Sequence, residues 1–250
     1  MGFDLPAPVP WEPPPPVLAL TEQELHIWRA SLDQPSALLS RLAGLLSEDE
    51  SARSNRFYFE RDRQHYVAGR AILRTILGQY LGIPPEQIRF QYGKHGKPAL
   101  PGTSPLHFNL AHSNNLILLA FTLRHEIGVD VEYLRLVPET DEIARHFFTE
   151  METQTLINLP EDQKLEGFFT HWVCKEAYLK GLGDGLARPL DTFEILPPLA
   201  LHVIDNPEES ARWSLRLFRP EEGYLSAIAM DKKGLKTFFW QWDDDLPKTD

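Results

Sequence analysis

Two long stretches with helical spacing, Asp62 to Leu81 and Lys164 to Gly181, are each followed by a train of short strand-like runs. That repeated order does most to restrict what the chain can become. In the first stretch Tyr66, Ile72, Leu73, Ile76, Leu77 and Tyr80 recur at helical spacing, and Gly82 and Pro84 end it. Strands are expected after it at Ile88 to Tyr92, His107 to Leu110, Leu116 to Leu123 and Glu126 to Tyr133, with turn residues Gly93 to Pro98 between the first two. In the second half, helical patterns at Asp141 to Phe148 and Glu150 to Asn158 precede the long one. Strands are expected again at Phe193 to Leu196, Trp213 to Phe218, Tyr224 to Met230 and Thr237 to Trp242. Helices followed by mostly antiparallel strands, met twice, imply an α+β fold of two pseudo-symmetric lobes, residues 17–124 and 125–250, each with helices packed on a sheet.

The start of the chain is different. Residues 1–16 form a proline-rich lead-in, with four consecutive prolines at 13–16 that favour extended polyproline structure and forbid a helix. A short strand is expected at Val17 to Leu20. Thr21-Glu-Gln-Glu24 matches a helix-start capping box, which predicts a helix running through Trp28. A second helix is expected over Ser36 to Leu46, and Ser47-Glu-Asp-Glu50 opens a third by the same capping chemistry.

With 250 residues, 42% of them hydrophobic, the chain can bury a sizeable core. No stretch reaches the ~18 consecutive apolar residues that a membrane-spanning helix needs. The first twenty residues carry no basic charge, so no secretory signal is expected. Cys174 is the only cysteine, which excludes an internal disulfide and a zinc site of several thiolates, and the expected compartment is the cytoplasm. The net charge of −11 argues against a nucleic-acid binder. Its distribution is lopsided: residues 1–124 hold 12 Lys and Arg against 11 Asp and Glu, and residues 125–250 hold 13 against 25. From Arg53 to Lys97 there are nine basic residues and three acidic ones. Such a window can receive an anion, or it can be a solvated helix face whose arginines pair with Glu60 and Asp62.

Chemistry gathers in three places. In Gly128-Val-Asp-Val-Glu132, strand alternation puts Val129 and Val131 on one face and Asp130 and Glu132 on the other. In Trp172-Val-Cys-Lys-Glu-Ala-Tyr-Leu-Lys180, Glu176 and Lys180 share a helix face. Taken singly, the first also describes a half-exposed strand and the second a surface ion pair. Together, three carboxylates without thiolate or imidazole suit a hard cation such as Mg²⁺, whose coordination is completed by water and phosphate oxygens. Lys180, with Lys175 in support, is spaced to stabilise a departing phosphate. Third, Phe108-Asn-Leu-Ala-His-Ser113 follows Gly96-Lys-Pro98, so His112 and Lys97 can both touch phosphate; each is equally an ordinary strand-end or turn residue. Cys174 lies two residues from Glu176, about 200° round the helix axis, and reads as a buried thiol and not a nucleophile.

Taken in chain order, Gly96-Lys-Pro98, Phe108-Asn-Leu-Ala-His-Ser113, Gly128-Val-Asp-Val-Glu132 and Trp172-x-x-Lys-Glu-Ala-x-x-Lys180 resemble the signature of the 4′-phosphopantetheinyl transferases, in their long, Sfp-type branch. The resemblance covers residues 50–195 directly and includes Ala68-Gly-Arg70 and Leu73-Arg74. It implies a monomer with coenzyme A in the cleft between two lobes, and transfer of its 4′-phosphopantetheine arm to a serine of an apo acyl carrier protein or of a carrier domain in a polyketide or peptide synthase. Asp130, Glu132 and Glu176 would hold Mg²⁺. Glu176 would also be the base, Lys180 would contact the pyrophosphate, and Arg53, Arg70, Lys97 and His112, with Lys175, would hold coenzyme A. Ala111 departs from the pattern, since many relatives have serine there, which removes one hydroxyl contact. Phe147, Phe148 and nearby residues are expected to offer an apolar docking surface. The competing readings are a non-catalytic coenzyme A or nucleotide-binding module, and a structural interaction domain.

Overall fold

The structure is a computed structural model, and it describes residues 5–183 and 188–244. Strand β1 (Glu24–Ser31) is followed by helices α1 (Ser36–Ala43), α2 (Glu48–Ser54) and α3 (Glu60–Leu81). A small hairpin of β2 (Gln91–Tyr92) and β3 (Pro98–Ala99) leads to β4 (Leu106–Ser113) and β5 (Leu116–Leu123). Helix α3 ends at Gly82, whose φ of +65° gives the left-handed cap that glycine adopts without steric cost. The second half runs β6 (Ile127–Tyr133), α4 (Thr140–Phe147), α5 (Glu150–Ile157), α6 (Glu161–Leu182), β7 (Phe193–Leu196), β8 (Ala200–Val203), α7 (Pro207–Arg212), β9 (Ser214–Phe218), β10 (Tyr224–Met230) and β11 (Lys236–Gln241).

The expected α+β architecture of helices on mostly antiparallel sheets is present. One sheet has the order β11-β1-β5-β4 and shares a core with α3; another has the order β6-β10-β9 and packs on α6. The chain does not divide cleanly at residue 124, because β11 leaves the second half and runs parallel beside β1, pairing Trp28 with Trp240. Three apolar cores result. One lies between α3 and the first sheet, around Ile72, Leu73, Ile76 and Phe121. Another surrounds α6 with Val173, Ala177 and Tyr178. Between the two sheets, Leu25, Ile27 and Leu118 meet Val129, Val131 and Ile228.

The helix expected through Trp28 is instead strand β1. The capping contact does form, since Thr21 N donates to Glu24 Oε2 at 3.0 Å, but it closes a turn. Leu25 and Ile27 face the core between the sheets while Trp28 and Ala30 face the first core, so tertiary burial on both faces overrides the local helix signal. No strand forms at 17–20; Leu18 and Leu20 simply pack on the first core. The proline-rich segment lies across both sheets: Val9 N donates to Arg219 O at 3.0 Å and Trp11 Nε1 to Pro220 O at 2.7 Å just past β9, and Glu12 N donates to Phe239 O of β11 at 3.0 Å.

Candidate active site

Strand β6 reaches the seam between the sheets with no ladder partner on its β4 side. Side chains of β4 replace the ladder: Asn109 Oδ1 accepts from Val129 N at 2.9 Å, and Ser113 Oγ accepts from Tyr133 N at 3.0 Å. The valines of β6 enter the core between the sheets, which turns Asp130 and Glu132 the other way, toward α6. The approach of strand and helix is backbone to backbone. A Cβ on Gly128 would collide with the Ala177 carbonyl oxygen and the Gly181 amide, so only glycine fits.

This crossing brings Asp130 to the α6 face that carries Glu176 and Lys180. The Lys180 ammonium donates to Asp130 Oδ1. Asp130 is 4% exposed, and its Oδ2 is buried with no hydrogen-bond partner. Glu132 Oε2 accepts from Ser113 Oγ at 2.8 Å. Burial pushes the Asp130 carboxyl up, against the pull of Lys180. Glu132 is raised by burial and by the charge of Asp130, and Glu176 by burial and by the charges of Asp130 and Glu132. Three carboxyls thus feel one another in a poorly solvated place, where an added cation would relieve both the repulsion and the orphaned Oδ2. The donors are all hard oxygens, so they fit a divalent ion of the Mg²⁺ kind. Among the described residues no three His, Cys, Asp or Glu side chains are gathered into a ready cage, so a cation would draw these carboxylates together.

Lys180 also belongs to the wall of a cleft of about 680 Å³, along with Arg53, Arg70, Lys97 and His112. Tyr66 and Tyr92 line it too. Burial, and then the Lys180 charge, lower the His112 imidazole below the usual histidine range. Arg53 stands at the mouth, with its guanidinium 5.6 Å from the centre of the Tyr66 ring. Arg70 reaches the cleft but is largely spoken for: its Nε donates to Glu50 Oε1 at 2.8 Å, its Nη2 donates to Tyr92 Oη at 2.9 Å, and it lies over Phe90. Lys97 donates to two backbone carbonyls, Ile127 O at 3.2 Å and Gly181 O at 3.1 Å. In the basic window, the surface-pair reading applies to Arg63, which pairs with exposed Glu60 at 2.7 Å.

Lys175 requires a correction. It is 0% exposed and points into the core around α6, where Nζ donates to Leu190 O at 2.7 Å and to Phe193 O and stands 2.8 Å from Glu152 Oε2. Lys180 is five positions along the helix from Lys175, about 140° round the axis, so the two ammonium groups face different surroundings. Lys175 holds the 190–193 segment and does not reach the cleft. Phe148 is likewise a core residue at 4% exposure, while Phe147, at 38%, and nearby Met151 are exposed. Cys174 is buried, and burial raises its thiol well above the ordinary range.

Three residues that matter were not singled out from the sequence. Glu50 is buried and pairs with both Arg70 and Arg74. Asn109 and Ser113 anchor β6, and strand alternation, which separates them from His112, was the available signal.

Two family models match the chain. Residues 26–124 match the N-terminal model of the 4′-phosphopantetheinyl transferases, and residues 126–229 match the 4′-phosphopantetheinyl transferase superfamily. The 4′-phosphopantetheinyl transferase HetI of Nostoc sp. is 44% identical over 236 residues, spanning 93% of this chain and 98% of that protein. The 4′-phosphopantetheinyl transferase Sfp of Bacillus subtilis is 28% identical over 75% of this chain and 83% of its own length. The human L-aminoadipate-semialdehyde dehydrogenase-phosphopantetheinyl transferase is 28% identical over 75% of this chain and 67% of its own.

Proposed function

The chain belongs to the 4′-phosphopantetheinyl transferase superfamily, and from that premise we propose that it moves the 4′-phosphopantetheine arm of coenzyme A onto a serine of an apo acyl or peptidyl carrier protein, with Mg²⁺, releasing adenosine 3′,5′-bisphosphate. The observation that carries this reading is the Lys180 ammonium, which joins the carboxylates of β6 and α6 to a basic cleft large enough for a nucleotide.

In this reading Asp130, Glu132 and Glu176 hold the metal. The ion's chemistry there is to offset charge on the pyrophosphate. His112, Lys180 and Arg53 bind and orient phosphate oxygens along the cleft wall. Glu176, its carboxyl raised by burial and by the charges of Asp130 and Glu132, takes the proton of the serine hydroxyl. The serine oxygen bonds to the pantetheine-side phosphorus as the bridging P–O bond breaks, and the electron pair leaves with the adenosine bisphosphate. Lys180 stabilises that departing phosphate. Lobes at 17–124 and 125–250 then form the two walls of the cleft, with β11 returning to the first. We take the enzyme to act as a cytoplasmic monomer; no described helix is long and apolar enough to cross a membrane.

Incubating the protein with Mg²⁺, coenzyme A and an apo carrier protein, and weighing the carrier by mass spectrometry, tests this. A carrier heavier by one phosphopantetheine arm is expected, and an unmodified carrier refutes the reading.

A further inference from the structure

We propose that Lys97 is a positioning residue that fixes how α6 crosses β6, and that it is not a ligand for coenzyme A phosphate. The inference rests on the transferase reading for its catalytic consequence, but not for its structural one.

The crossing is a place where two backbones touch. Gly128 of β6 lies against Ala177 and Gly181 of α6 with no room for a side chain, and the far side of Gly181 is closed by the Trp213 indole. Asp130 lies two strand residues from Gly128, about 7 Å along β6. Lys180 and Glu176 are the immediate neighbours of Gly181 and Ala177. The angle and depth of this one contact therefore set the distance from Asp130 to both functional groups of α6.

Lys97 spans the contact. Its Nζ donates to Ile127 O on the strand and Gly181 O on the helix, at 3.2 and 3.1 Å. The Gly181 carbonyl is in the last turn of α6, where carbonyls lack helical partners and carry the negative end of the helix dipole, so an ammonium group suits it twice over. Two of the three N–H donors are thus committed, and the carboxylate of Glu126 stands 4.0 Å away as a counter-ion. A phosphate would have to break these bonds to recruit the lysine. The reach is preset as well: Gly93 N donates to Lys97 O at 2.9 Å, Gly96 turns the hairpin at a φ of +82°, and the lysine stem passes beside Gly183.

The test separates binding from turnover in full-length Lys97→Met. Coenzyme A affinity is measured by calorimetry with Mg²⁺ and no carrier, where no transfer occurs; kcat and KM are measured with carrier. Positioning predicts a coenzyme A Kd within about threefold of wild type and a kcat lower by about 10- to 100-fold, the scale of a displacement of order 1 Å. Gly128→Ala, which strains the same crossing without touching Lys97, should give the same split. A Kd weakened more than about tenfold with kcat retained would identify a phosphate ligand and overturn the proposal. Unchanged Kd and kcat would overturn it equally. If Lys97→Met does not fold, Lys97→Arg carries the comparison, with kcat partly restored and Kd unchanged expected. The calorimetric result decides the binding question even for a wild type that transfers nothing, so failure of the transferase reading is told apart from failure of this one.

Discussion

Replacing Glu50 with glutamine removes one negative charge from the centre of a buried cluster while keeping its shape. The Glu50 side chain is 1% exposed; Oε2 accepts from Arg74 Nε at 2.6 Å and Oε1 from Arg70 Nε at 2.8 Å. Both guanidinium groups are buried, so glutamine leaves two charges facing each other with no buried counter-ion between them, only the exposed Asp49 carboxylate nearby. Breaking a buried pair of this kind costs about 3–5 kcal/mol. For a protein of this size each kcal/mol lowers Tm by about 2–4 °C, so thermal unfolding followed by circular dichroism at pH 7 should give a Tm lower by roughly 6–20 °C. The pH dependence supplies a second check. Burial by itself would raise the Glu50 carboxyl, but Arg70, the Ser47 backbone and Arg74 outweigh it and hold the carboxyl below the ordinary range. A depressed folded pKa contributes stability that is present above the unfolded value, about 4.3, and is lost as pH falls through the folded one. The gap between wild type and Glu50→Gln should therefore narrow below about pH 4. A Tm loss under about 2 °C at pH 7, or a gap that persists unchanged into acid, would refute the account of this cluster.

Glu132→Ala should abolish carrier modification while lowering stability by only about 1 kcal/mol, the worth of its hydrogen bond from Ser113, as read by mass spectrometry beside a melting curve. Lys175→Met should destabilise the fold by several kcal/mol, because Glu152 loses its buried partner, yet leave the KM for coenzyme A unchanged; a raised KM would return Lys175 to the cleft. Because burial and mutual repulsion raise Asp130, Glu132 and Glu176, protons compete with a cation there. Added Mg²⁺ should accordingly raise Tm more at pH 8 than at pH 5.5 in a thermal-shift assay, and an equal effect at both would count against the three-carboxylate assignment.

Much of the candidate site could be read from the chain because it depends on local periodicity. Alternation along 128–132 turns two acids to one side, and four-residue spacing aligns Glu176 with Lys180. What brings them together could not be read that way. The Gly128 contact with Ala177 and Gly181 joins residues some fifty positions apart, and nothing in either segment announces the other. Lys175 was misplaced for the same reason: its partners Glu152 and Phe193 come from different elements, and motif membership says nothing about which side of α6 a residue occupies. Glu50 was hidden by its first role. It completes the capping box of α2 through Ser47 N at 3.0 Å, which accounts for the residue locally and masks its pairing with two arginines of α3. In β1 a true local signal was outvoted, since the capping contact at Thr21 formed and the segment still became a strand buried on both faces.

The parallel pairing of β11 with β1 has a consequence for how the chain is made. Strand β1 ends at Ser31, and its partner begins at Lys236, roughly 200 residues later. At ordinary ribosomal speeds that is a wait of about 10–40 s during which the nascent first half carries an open sheet edge next to Trp28. Such an edge invites pairing with another chain. Synthesis stopped short of β11 would thus release a half-built sheet prone to aggregate, and only the finished polypeptide can close it.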